Sequence, residues 1–256
     1  MCDDIFYSAE LIPNPGTRLI GRKFFYYPSV SSTNETAKEI ARQNTVEGVV
    51  IAADEQTSGK GRLSRNWQSP PGSLALSVVL TPEVSRLPEL IMIASLAVVA
   101  TIKQVAALKA QIKWPNDVLI NGKKVCGILI ENEFRRNTLK FSVIGIGINV
   151  NLKFSDIPEY NSTATSLYEE LGREVSIKEV MKILLVELES LYLSGESIFE
   201  EWRDNIVTLG KQIQVTSGKV ISKGIADSVD KQGNLWLKQS DGQLVKIVAG
   251  DVTLRS

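Results

Sequence analysis

Hydrophobic and polar positions first take on a clear period at residue 32. Ser32-Thr33-Asn34-Glu35 sets a hydroxyl three residues ahead of a carboxylate, the arrangement that satisfies orphan N–H groups at a helix start. Ala37, Ile40 and Ala41 then recur at helical spacing, with Lys38, Glu39 and Arg42 on the other side. Gly48 closes that helix, and Val49-Val50-Ile51-Ala52-Ala53 is an unbroken apolar run of strand length. Residues 59–72, rich in Gly, Ser and Pro, predict a loop, and Leu74–Leu80 a second strand. Pro88 opens an apolar helix reaching about Leu108. Its charge-free stretch, Leu90–Ile102, has 13 residues, short of the ~20 that cross a bilayer, so a buried core helix is expected.

Further strands are predicted around Ile112-Lys113-Trp114 and over Val118–Ile120, Val125–Glu131 and Leu139–Val150, with Asn121-Gly122 as a hairpin turn. Ser176–Leu193 is amphipathic, with Ile177, Val180, Ile183, Leu184, Leu188 and Leu191 on one side; a short helix follows over Ser197–Ile206. After Leu209-Gly210 the helical period ends, and short strands are broken by Ser217-Gly218, Gln232-Gly233 and Asp241-Gly242. The pattern predicts an α+β fold. Residues 1–208 would form a mixed, largely antiparallel sheet with helices on one face, and residues 209–256 a small SH3-like β-barrel docked on it.

Composition narrows the chemistry. The 256 residues carry 29 basic and 29 acidic side chains and no histidine. Ser-His-Asp triads, Cys-His pairs, histidine zinc sites and imidazole proton shuttles are therefore excluded. A zero formal charge argues against a surface shaped as a whole for nucleic acid. The two cysteines, Cys2 and Cys126, make no disulfide framework and fit a reducing compartment. Met-Cys-Asp-Asp at the start lacks a signal-peptide pattern, so a cytoplasmic protein with no membrane partner is expected.

Against that neutral background, the 27 residues from Gln56 to Pro82 hold no acidic side chain but carry Lys60, Arg62 and Arg65. Within them, Ser58-Gly59-Lys60-Gly61-Arg62-Leu63-Ser64-Arg65-Asn66-Trp67 alternates glycine with cation. Such a loop either stays a solvated basic loop or closes over a polyanion, its amides turned inward and its cations neutralising phosphate. The spacing fits neither a Walker loop nor a dinucleotide-binding turn. A second group is Lys113-Trp114-Pro115-Asn116-Asp117, followed by Lys123-Lys124 and Gly127-Ile128-Leu129-Ile130-Glu131. Trp-Pro makes a rigid corner that aims Asn116 and Asp117, with Lys124 near it; turn residues and a wet hairpin end are the alternative. A third is Ile144-Gly145-Ile146-Gly147-Ile148-Asn149-Val150, where glycine inside a strand implies close approach by a ligand, a facing helix or a second subunit.

Taken in order, Ser32-Thr33-Asn34, Gln56, the Gly59–Trp67 loop, Lys113-Trp114-Pro115-Asn116-Asp117, Lys124 with Gly127-Ile128-Leu129, and Gly145-Ile146-Gly147-Ile148-Asn149 resemble the biotin–protein ligases, the biotin–[acetyl-CoA-carboxylase] ligases; Ala164-Thr165-Ser166-Leu167 adds a weak match. The resemblance spans about residues 25–256. It departs from the usual Gly-Arg-Gly-Arg-x-Gly-Arg loop at Lys60, which keeps charge but loses the bidentate fork, and at Ser64. Only 31 residues precede Ser32, with no recognition-helix pattern, so the ligase-only form is expected, without DNA binding.

The resemblance implies a class II synthetase-like ligase domain and a two-step reaction. Biotin carboxylate attacks the α-phosphorus of ATP, giving biotinyl-5′-AMP and pyrophosphate, and a lysine of a biotin carboxyl carrier protein then displaces AMP. It implies ATP and biotin as substrates, with Mg²⁺. It assigns biotin to Ser32, Thr33, Asn34 and Gln56, and the carboxylate and α-phosphate to Lys60, Gly61 and Arg62. It sets Lys124 at the carboxylate–phosphate junction, with Asn116 and Gly127 among the binding residues. Arg65 and Trp67 would fold with the closed loop, Trp67 beside the adenine. Asp117 would orient Lys124 or the arriving lysine, or help place the metal. A Gly59–Trp67 loop that orders on ligand and a homodimer through Gly145–Val150 are further expectations. The rivals weighed are a lipoate–protein ligase, whose histidine-bearing motif is absent, and a nucleic-acid module, for which interleaved aromatics are lacking.

Overall fold

The computed structural model describes residues 16–44, 46–154, 162–218 and 220–254. Cys2 and the start of the N-terminal segment lie outside the described residues. The chain runs β1 (Lys23–Val30), α1 (Thr33–Gln43), β2 (Val49–Gln56), β3 (Ser73–Leu80), α2 (Glu89–Ala106), β4 (Ala110–Lys113), β5 (Asp117–Ile120), β6 (Lys123–Arg135) and β7 (Thr138–Asn149). It continues through α3 (Leu167–Leu171), α4 (Ile177–Leu193), α5 (Phe199–Asp204), β8 (Gln212–Ser217), β9 (Val220–Val229), β10 (Leu235–Lys238), β11 (Leu244–Ile247) and β12 (Asp251–Leu254).

The first sheet has seven strands in the order β1-β2-β3-β7-β6-β5-β4. β1 pairs parallel with β2 and all other pairs are antiparallel, which makes the sheet mixed. β1 went unread in the sequence pattern because Pro28 and its half-buried positions mask the alternation, as suits an edge strand. The Asn121-Gly122 turn is as expected, both residues having positive φ (50° and 80°).

Helices cover both faces of this sheet rather than one. Val50, Ala52, Leu76, Val78, Ile144, Ile146 and Ile148 share an apolar core with α2 and α4. Val49, Ile51, Val79, Phe141 and Val143 instead pack against Ala37 and Ala41 of α1. Strands buried on both faces read as unbroken apolar runs, as β2 and β3 do; the pattern marks the double burial but not which helix covers which face. α2 has the length and hydropathy of a membrane span, yet it is mostly buried inside the fold. Glu189 of α4, itself buried, accepts the N–H groups of Arg18, Leu19 and Ile20 at 2.6, 2.7 and 2.7 Å and so fixes the segment leading into β1.

The C-terminal strands form a five-stranded antiparallel sheet, β11-β10-β9-β8-β12. It is open, not the closed barrel expected: β11 and β12 form its two edges, and among the described residues no ladder joins them. The physical reason lies in β9, ten residues long, which pairs with β8 along its first half and β10 along its second. The three residues after β11 then carry the chain to the outer edge of β8. Trp114, 1% exposed, joins the two sheets by donating its indole N–H to Gly233 O at 2.8 Å.

Candidate active site

β7 is the middle strand of the main sheet, hydrogen-bonded to β3 on one edge and β6 on the other. Its even residues, Ile144, Ile146 and Ile148, are buried in the apolar core. Its odd residues point the other way, and two of them are glycines. A Cβ on Gly145 would stand 2.2 Å from Asn34 Oδ1, and one on Gly147 2.4 Å from Trp67 Nε1. The close approach that the strand glycines imply is thus by the first turn of α1 and by the tryptophan of the basic loop. Side-by-side pairing of two subunits through Gly145–Val150 is ruled out, because the strand is interior and both its edges are already paired.

Above these glycines lies a pocket of about 130 Å³. It is lined by every binding or catalytic residue the sequence analysis singled out: Ser32, Thr33, Asn34, Gln56, Lys60, Gly61, Arg62, Arg65, Trp67, Asn116, Asp117, Lys124 and Gly127. One wall is the start of α1. Ser32 occupies its N-cap but makes no side-chain cap, and Glu35 turns to Lys38 and Lys60, so the capping box read from the sequence is not formed. Gln56 Oε1 accepts from the Thr33 N–H (2.9 Å) and hydroxyl (3.1 Å). Asn34 Oδ1 accepts from Ser77 at 2.6 Å while its amide donates to Glu131 at 2.8 Å. Asn34 is therefore held on both sides, leaving the wall preorganised. Ser77 escaped the sequence reading because it sits in a long apolar strand with no local motif around it, and Glu131, named there only as the end of the Gly127-Ile128-Leu129-Ile130-Glu131 string, was given no role.

The basic loop folds back as a tight hairpin: Gly61 N–H donates to Arg65 O at 2.7 Å and Trp67 N–H to Gly59 O at 2.8 Å. The left-handed residue here is Leu63, with φ 54°. Arg62 reaches down from the loop to donate to Asn116 Oδ1 at 3.0 Å and Gly250 O at 3.4 Å. Asn116 in turn donates to Ile128 O at 2.9 Å, so one amide ties the loop to the Trp-Pro corner and to β6. Burial pushes the Arg62 guanidinium below its usual value, with Asp251 and Asp117 opposing that shift. Arg65 forms an ion pair with Asp251 of the C-terminal sheet. Lys60 forms one with Glu35, and the Lys38 and Lys60 ammonium groups hold the Glu35 carboxyl below its ordinary range.

Lys124 completes the floor. Its ammonium lies 2.6 Å from Asp117 Oδ1 and 5.2 Å from the centre of the Trp67 ring. Of the orientations open to Asp117, the structure shows the pairing with Lys124. Beyond Trp67 and Lys124 a second, larger chamber of about 580 Å³ opens, sharing Arg65, Asn66, Trp67, Asp117 and Lys124 with the first and adding Lys113 and Lys153. Six cationic side chains against two carboxylates line the two chambers, within a chain of zero net charge. Among the described residues no group of three or more His, Cys, Asp or Glu is arranged to hold a metal ion. Burial pushes the Cys126 thiol up, so it stays protonated under the floor of the site.

This architecture has relatives. The model of the biotin/lipoate A/B protein ligase family matches residues 26–149, and that of the biotin protein ligase C terminal domain matches residues 208–255. A bifunctional ligase/repressor of Bacillus subtilis is 35% identical over 93% of this chain and 76% of its own length. The chain belongs to the biotin–protein ligase family. A biotin–[acetyl-CoA-carboxylase] ligase of Paracoccus denitrificans is 31% identical over 84% of this chain and 93% of its own length. Among solved structures, the biotin protein ligase of Aquifex aeolicus in complex with biotin and ATP superposes with a TM-score of 0.77, at 31% identity, over 91% of this chain and 99% of that one. The chain is thus an enzyme of the ligase family, and with no histidine in its sequence the pocket described above offers cations, carboxylates, amides and backbone dipoles in place of an imidazole.

Proposed function

We propose that this family member attaches biotin to a lysine of a biotin carboxyl carrier protein by way of biotinyl-5′-AMP, in the cytoplasm, using the 1–208 body with residues 209–256 docked against it. The observation that carries the reading is the Arg62–Asn116 bond at 3.0 Å. It joins the basic loop to the Trp-Pro corner across 54 positions of sequence, over a pocket whose other wall is α1. A site so built suits two anions that repel each other in water.

In this reading Ser32, Thr33, Asn34 and Gln56 hold biotin above Gly145, and Arg62 with the Lys60-Gly61 amides bears on its carboxylate and the α-phosphate. Trp67 and Arg65 close the loop, and Gly127 leaves room for the tryptophan ring. Lys124, steered by Asp117, stabilises charge on the oxygens between carboxylate and phosphorus. Orientation of two bound reactants is worth ~7–11 kcal/mol and one well-placed donor ~2.7–4 kcal/mol, which leaves no need for a covalent enzyme intermediate. Asp117 and Asp251, the carboxylates lining the two chambers, are the side chains that could help hold a magnesium ion brought by the triphosphate, and that ion would neutralise phosphate charge. The carrier lysine then attacks the acyl carbon and AMP leaves with the electron pair of the broken mixed-anhydride bond.

The test mixes protein, Mg-ATP and biotin, follows pyrophosphate release, and looks for label on a carrier domain. Biotin-dependent release followed by labelling is expected. No heat on adding biotin, together with release that ignores biotin, would end the reading.

A further inference from the structure

Lys113 lines the second chamber, half-buried, at the end of β4. Its partner across the hairpin register is Asp117, the one acidic side chain lining that chamber. That carboxylate is engaged 2.6 Å away by Lys124. Among the described residues, Lys113 makes neither an ion pair nor a side-chain hydrogen bond. Burial, together with Lys124 and Arg65, works against its charge and pushes its pKa down, with Asp117 and Asp251 opposing. A desolvated ammonium facing an open chamber without its own counterion is a built-in vacancy for an anion.

The direction of the proposed first step says which anion. A carboxylate oxygen bonds to the α-phosphorus, the bond from that phosphorus to the bridging β-oxygen breaks, and pyrophosphate leaves with the electron pair. In-line displacement sends the leaving group to the side opposite the attacking carboxylate. If the carboxylate sits in the first chamber under Arg62, as proposed, the adjoining space open to the leaving group is the second chamber, which shares the Lys124 wall and is lined by Lys113 and Lys153. We infer that Lys113 binds the β- and γ-phosphoryl groups of ATP and holds the departing pyrophosphate. The inference rests on the adenylating function proposed above. It separates two kinds of lysine: Lys124, paired with a carboxylate at the reacting atoms, and Lys113, unpaired at the leaving group.

Biotin-dependent exchange of labelled pyrophosphate into ATP reads this directly on the full chain. Lys113→Met, which removes the charge and keeps the volume, is expected to raise the KM for both pyrophosphate and ATP about ten- to hundredfold. The KM for biotin should stay within about twofold, since only interactions at the altered position change. Lys113→Arg should restore most of the loss, as retained charge at a phosphate site predicts. If Lys113→Met folds poorly, Lys113→Gln carries the same comparison. Unchanged KM for pyrophosphate in an exchange-active variant would overturn the inference, as would a rise for ATP alone, which would mean a contact with another part of the nucleotide. Wild-type protein without biotin-dependent exchange would instead overturn the function on which it rests.

Discussion

The two faces of β7 differ as sharply as any two regions of the molecule. On one, Ile144, Ile146 and Ile148 are buried in a continuous apolar core with residues of α2, α4 and their neighbours. On the other, Gly145 and Gly147 give up side chains altogether, Asn34 and Trp67 fill the space, and four cations, Lys60, Arg62, Arg65 and Lys124, gather above. Glycine within a strand weakens it, and cations gathered in one pocket repel one another. The lesson is that the first face supplies stability which the second spends on room and charge, so mutations on the two faces should separate stability from activity.

The most disruptive break on the site face is Lys124→Ala. Adenylate formation is expected to fall about 10²- to 10³-fold, the worth of one well-placed charge-stabilising donor. The melting temperature should barely move, because the Lys124 side chain is partly exposed; single-turnover formation of biotinyl-5′-AMP gives the first quantity and calorimetry the second. Near-normal turnover would remove Lys124 from the mechanism. Next comes Gly147→Ala, whose new methyl meets the Trp67 ring. Overpacking of this kind costs about 1–3 kcal/mol, and the loop is expected to yield before the sheet does. Biotin titration should show weakened binding, and tryptophan fluorescence a changed Trp67 environment.

The opposite face answers differently. Ile146→Val removes one methylene from the core and is expected to cost about 0.5–1.5 kcal/mol of stability, read from urea unfolding, with unaltered kcat. Loss of activity without loss of stability in this variant would erase the division between faces. The smallest effect concerns Lys113. Because its folded-state pKa is depressed, the unfolded chain binds more protons between that value and the free-lysine value near 10.4, and stability there rises with pH. Lys113→Met is therefore expected to melt slightly higher than wild type at neutral pH, the gap narrowing as pH climbs through that window. A gap that is flat or widens with pH would contradict the unpaired, desolvated state of the amine.

Much of the fold could be read along the chain. β2, β3, β6 and β7, the Asn121-Gly122 turn, and the helices over α2 and α4 all followed from local period and turn chemistry, and Ser176 caps α4 by accepting from the Glu179 N–H. β1, the helical layer on the second face, and the open C-terminal sheet were not legible. Each depends on which strands become neighbours, and that is decided by contacts far apart in sequence. The candidate site divides the same way. Lys60, Arg62, Asn116, Asp117 and Lys124 stand in short, chemically unusual strings. Ser77, Glu131 and Asp251 stand in ordinary strands, and only through Asn34, Lys38 and Arg65 do they acquire a part in the site.

What the amino-acid sequence determined by itself was therefore the inventory: a histidine-free, charge-neutral chain with one glycine-rich cationic loop, one Trp-Pro corner and two strand glycines, each specified by interactions within a few residues. What only the tertiary structure decided was the pairing. Asp117 goes to Lys124 and leaves Lys113 without an ion-pair partner among the described residues, Glu35 takes Lys60, and Asp251 arrives from the second sheet to meet Arg65. Electrostatic partners are chosen by distance and desolvation in the folded chain, and neither quantity exists until the strands have found their neighbours.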